Sequence, residues 1–99
     1  MSDQQKAVAF FCYKNESQYN EFLNILTDVE KLPATFEQWK QSNEKGIHEM
    51  ESRGVIAIRV YAESTVSFID FCRHHGKGIN AEGRIHFANV KASEYLRSR

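Results

Sequence analysis

The segment Lys6 to Lys14 constrains this chain most. It reads as a strand, because Val8, Phe10, Phe11, Cys12 and Tyr13 are residue types that fit a pleated surface. Alternation puts Val8, Phe10 and Cys12 on one face and Ala7, Ala9, Phe11 and Tyr13 on the other. A strand apolar on both faces has to be covered on both. The second clear strand is Val55 to Tyr61, with Ile56, Ile58 and Val60 on one face and the mixed set Val55, Ala57, Arg59 and Tyr61 on the other. Two strands alone make a marginal sheet with two open edges. The chain can add a third strand, lay helices over the edges, or pair its strands with those of a second subunit.

The stretch between the strands is helical. Asn15 caps a first helix, with Gln18 at the reciprocal capping-box position. Tyr19, Phe22, Leu23, Leu26 and Val29 recur at three- and four-residue spacing, the stripe of a core-facing helix, and Ile25 and Leu32 widen it. Pro33 then interrupts the run. Thr35 with Gln38 is a second capping box and opens a helix from Phe36 to Arg53. Its apolar positions, Phe36, Trp39, Ile47 and Met50, are sparse, and Gly46 invites a break. Gly54 suits the left-handed position after its end. After the second strand, Ser64 or Thr65 caps a short helix carrying Val66, Phe68, Ile69 and Cys72, which Gly76 ends.

The last segment has two readings. As a helix capped by Asn80, it places Ala81, Ile85, Ala88, Ala92, Tyr95 and Leu96 on one arc and leaves Phe87 and Val90 on the opposite side. As a strand over residues 84–90, it gives a ferredoxin-like variant with a third strand. The helix is the better fit, because the arc persists through Leu96. The expectation is therefore one α+β domain over residues 1–99, in the order β-α-α-β-α-α, with a small two-stranded sheet and frayed residues 1–5. The two apolar faces and the leftover Phe87 and Val90 favour strand pairing across a two-fold axis, that is, a homodimer.

Composition narrows the function classes. The chain holds 13 Lys and Arg against 13 Asp and Glu, and a neutral balance argues against a histone-like polyanion binder. The polar, acidic start is unlike a secretory leader, and no apolar run approaches the roughly 20 residues that span a bilayer. A cytoplasmic protein without a membrane anchor is expected. Cys12 and Cys72 then read as buried thiols.

Reactive side chains are densest at Cys72, His74 and His75, with His86 further on. Cys72 and His75 stand at i, i+3 on a helix, which is half of a tetrahedral zinc set, yet the spacing matches no finger or ribbon. Core burial of Cys72 and solvation of His74 and His75 at a helix C-terminus explain the same residues, so neither a metal nor a cofactor is expected. His48 and Glu49 begin like a zinc-protease helix, but Ser52 stands where the second histidine is required. Charge is uneven: residues 1–50 hold 5 basic and 8 acidic side chains, and residues 51–99 the reverse. Lys77, Arg84 and Lys91 make a basic C-terminal strip that would meet phosphates or an acidic protein partner, without the interleaved aromatics of single-strand binders. The sequence thus points first to a non-enzymatic, self-associating interaction or regulatory module. The alternative is a nucleic-acid or phosphate-ligand binder using Lys77, Arg84 and Lys91, with nucleic acid itself disfavoured. An enzyme using Cys72 with His74 or His75 ranks third.

Overall fold

The computed structural model describes residues 6–98, so the expected fraying of residues 1–5 lies outside the described part. The elements run β1 (Ala7–Cys12), α1 (Glu16–Leu23), a short 3-10 turn (Val29–Lys31), α2 (Phe36–Ser52), β2 (Ile56–Tyr61), α3 (Thr65–His74) and α4 (Ala81–Arg97). The fold is α+β in the expected order. Residues 84–90 are helical, so the ferredoxin-like variant is replaced by a two-stranded sheet. β1 and β2 pair in parallel, from Ala7 beside Ile56 to Cys12 beside Tyr61. Parallel pairing demands a crossover, and the α1–α2 segment supplies it.

The two faces of β1 are covered by different helices. Phe10 approaches α2 at Gly46, and the Cys12 thiol meets Asn43 of the same helix. On the opposite face Phe11 is the hub of an aromatic core. The rings of Tyr13, Phe22, Phe68 and Phe87 meet it edge to face at centroid distances of 5.3 to 5.7 Å. That geometry sets the positive ring edges against negative ring faces. Tyr19, Phe22 and Phe68 are fully buried there.

Local chemistry explains the boundaries. The Asn15 side chain accepts from the Gln18 amide at 2.8 Å, as a cap should. Gln18 does not close the box on Asn15. Its Oε1 accepts from Lys14 N at 2.8 Å, and its Nε2 donates to Ala62 O at 3.0 Å, tying the exits of both strands together. The helical stripe also stops early: α1 ends at Leu23 because the Thr27 amide is claimed by Ile79 O at 2.9 Å. Leu26 still reaches the core from the following loop, whereas Val29 stays 38% exposed. In α2 the Thr35–Gln38 box forms and the helix runs unbroken through Gly46. Only Ile47 of that helix is buried, so it is the thinly anchored element the sparse pattern implies. Gly54 and Gly76 take positive φ after α2 and α3, where a side chain would be strained.

α4 is rotated from the expected arc. Gly83, Phe87, Ala88 and Ala92 face inward, while Ile85, Tyr95 and Leu96 are exposed. The reason is competition for the core: Phe87 joins Phe11, Phe68 and Phe71, which bury a large ring that Ile85 cannot replace. Gly83 permits this seating, since a Cβ there would collide with the Gly78 carbonyl and the Cys72 sulfur. Phe87 is therefore a core residue, and it no longer supports dimer formation as a leftover apolar group.

Candidate interaction surface

One surface open to a partner lies along β2. The Ile56 amide donates to Lys6 O at 2.9 Å, so it points at β1. Successive residues of a strand alternate this direction. Ile56, Ile58 and Val60 accordingly face β1, and the N–H and C=O groups of Ala57, Arg59 and Tyr61 face outward. A groove of about 570 Å³ runs beside this edge, floored by the whole of Ile56–Tyr61 and walled by Lys91, Ala92, Tyr95 and Leu96 of α4. Ile56, Tyr61, Tyr95 and Leu96 are between 42% and 57% exposed. Two open polar groups per outward residue, set beside apolar side chains, are what an added strand needs.

Charge does not oppose such pairing. The charged residues of the groove are Arg59 and Lys91. Arg59 Nη2 donates to Glu44 Oε1 at 2.8 Å, and Lys91 Nζ lies 3.7 Å from Glu94 Oε1 and 5.7 Å from the centre of the Phe87 ring. Both cations thus have compensating neighbours. Two copies of this surface can approach without the repulsion that an unbalanced patch would bring.

Within the basic strip, Arg84 is drawn into an ion pair while Lys77 and Lys91 both lie near His75. Arg84 donates twice to Asp28, Nη1 to Oδ1 and Nη2 to Oδ2, each at 3.0 Å, with both side chains only 13% exposed. The hydrogen bonds from Arg84 hold the Asp28 carboxyl below its usual pKa. Here an acid of the first half meets a base of the second within one chain, and it joins the loop after α1 to the start of α4. Lys91 lies at the β2 groove, and Lys77 is half-buried in the turn after α3, where its amide donates to Cys72 O. Arg84 is thereby committed to a structural contact.

The Cys72, His74 and His75 group also comes apart. Cys72 is fully buried under Gly83, and burial pushes its thiol pKa up. Such a thiol is a core residue rather than a nucleophile. His74 and His75 are exposed. His75 stacks on Phe71 at 4.0 Å, and its Nδ1 faces Nε2 of His86 at 3.2 Å. Desolvation, then the nearby His86, His74, Lys77 and Lys91, lower the His75 pKa below the ordinary imidazole value. Cys12 is buried too and its thiol pKa is raised by that burial, partly opposed by Asn43. Among the described residues no three His, Cys, Asp or Glu side chains gather as a metal-holding group.

The sequence placed Tyr95 and Leu96 on the core arc, so it missed the groove. The signal was present in the width of that arc, which exceeds what one small sheet can cover. No described helix is long and apolar enough to cross a membrane. Compared with known proteins, the chain matches no family model, no curated protein and no solved structure.

Proposed function

We propose that this protein is a non-enzymatic, self-associating interaction module of the cytoplasm, and that its homodimer forms by pairing β2 with β2 of a second copy. The outward-facing backbone of Ala57, Arg59 and Tyr61, flanked by exposed Tyr95 and Leu96, carries this reading. Antiparallel apposition about a two-fold axis turns two marginal sheets into one of four strands and satisfies the β2 edge of each copy. The α4 side chains that miss the core then cover one another. Two free buried thiols fit a reducing compartment.

Sedimentation of the full chain across micromolar concentrations tests the proposal. The expected result is a species of twice the monomer mass that dissociates on dilution. Ala57→Pro removes one outward N–H and no bond to β1, so it should leave a folded monomer. A wild-type chain that stays monomeric throughout, or an Ala57→Pro variant that dimerises as well as wild type, overturns the reading. Anion binding through Lys77, Arg84 and Lys91 is the weaker alternative, because Arg84 is already held by Asp28.

A further inference from the structure

We propose that His75 and His86 form a two-histidine site for a divalent transition-metal ion, on the opposite end of α3 from its Ser64 cap. Their facing nitrogens, Nδ1 of His75 and Nε2 of His86, are 3.2 Å apart. Two nitrogens each about 2.0–2.1 Å from one tetrahedral ion are themselves about 3.3 Å apart. The pair therefore needs a shift of only about a tenth of an ångström to hold an ion in common. The ring centres, 5.0 Å apart, fit the same arrangement.

The rings are placed in advance. His75 is the residue that ends α3, and it lies flat on Phe71, four positions earlier, at 4.0 Å and 23°. His86 comes from the second turn of α4 and packs 5.6 Å from the same Phe71 ring. One phenylalanine thus serves as a shelf for both imidazoles, and ligands fixed by packing lose little freedom on binding. His75 is exposed and His86 half-buried, so an ion reaches the pair directly from solvent.

The chemistry of the site follows from its donors. Without metal, one ring donates its proton to the other's lone pair. Metal binding needs both facing nitrogens unprotonated, so each neutral ring keeps its proton on the outer nitrogen and no net proton is released. Two neutral imidazoles favour zinc, nickel or copper over magnesium or calcium, which prefer oxygen. Water fills the remaining positions. Lys77 and Lys91 near His75 weaken the attraction of a dication, which makes this a site of modest affinity. Because the ligands come from α3 and α4, occupancy clamps the two helices together and favours the folded chain.

Titration with Ni2+ and with Zn2+ in a non-chelating buffer, followed by thermal melting and by calorimetry, tests the site. The expected result is saturable binding of one ion per chain with a rise in Tm. His75→Ala and His86→Ala should each weaken binding by about tenfold or more. His48→Ala and His74→Ala should leave it unchanged. Both target rings lie at the surface, and the metal-free Tm of each variant reports whether it is folded. Absence of a metal-dependent Tm rise, or a rise that persists in both His75→Ala and His86→Ala, overturns the proposal.

Discussion

One helix, α4, borders the two regions of this molecule that differ most. Toward the sheet it contributes Phe87, Ala88 and Ala92 to a core in which Phe22 and Phe68 are fully buried. Beside β2 it offers Lys91, Tyr95 and Leu96 to an open groove. The inner region is closed by edge-to-face rings, whereas the outer region ends in unpaired backbone. The difference is one of supply. The described residues hold enough aromatic side chains to close one face of the sheet but no third strand to close its β2 edge. Stability resides in the first region, and the proposed association resides in the second.

Phe68→Ala attacks the inner region and carries the largest expected effect. Phe68 is fully buried against Phe11, Phe22 and Phe87, so its loss should cost about 3–5 kcal/mol. Denaturant unfolding measures this, and an effect below about 1 kcal/mol would mean the cluster is not the centre of stability.

Asp28→Asn probes the seam where the first loop meets α4. It leaves a largely covered Arg84 without its carboxylate and should cost about 2 kcal/mol. The pH dependence has a fixed sign. The folded-state pKa of Asp28 is depressed, so the ion pair contributes fully above the unfolded value of about 3.9 and is lost as pH falls through the lower folded value. The acid limb of the stability curve should flatten in the Asp28→Asn variant, while dimer formation at neutral pH persists. An unchanged acid limb would remove Asp28 from the account.

Tyr13→Phe has a smaller effect and the opposite sign. The Tyr13 hydroxyl is fully buried and has no hydrogen-bond partner among the described residues, and burial raises its pKa well above the ordinary phenol value. Removing an unpaired buried hydroxyl should be neutral or stabilise by up to about 1 kcal/mol. A loss of more than that would show that the hydroxyl does find a partner. Leu96→Lys sharpens the comparison from the other side. Leu96 is 43% exposed, so monomer stability should change by no more than about 0.5 kcal/mol, yet a charge on the groove wall should weaken the dimer.

Much of the fold was legible because its signals are local. Asn15, Thr35, Ser64 and Asn80 each accept the hydrogen bond that starts a helix, and Gly54 and Gly76 take the positive φ that follows one. What periodicity could not supply was competition between elements. It extended α1 past Leu23 because it could not foresee Ile79 taking the Thr27 amide. It turned α4 toward Ile85 because a helical arc does not register that Phe11, Phe68 and Phe71 leave a ring-sized space for Phe87. The placement of the candidate site residues depends on the same competition. Cys72 and His75 are close in sequence but diverge into core and solvent, while His75 and His86 are brought together only by the turn between α3 and α4. Arg84 read as a free cation until Asp28, far away in the chain, reached it.

Residue-resolved amide hydrogen exchange along β2, at concentrations above and below the dimer dissociation constant, tests the central claim most directly. The amides of Ile56, Ile58 and Val60 point at β1 and should be protected at every concentration. The amides of Ala57, Arg59 and Tyr61 point outward and should gain protection only in the concentrated sample. Protection of the inner set alone, unchanged by concentration, would contradict the account.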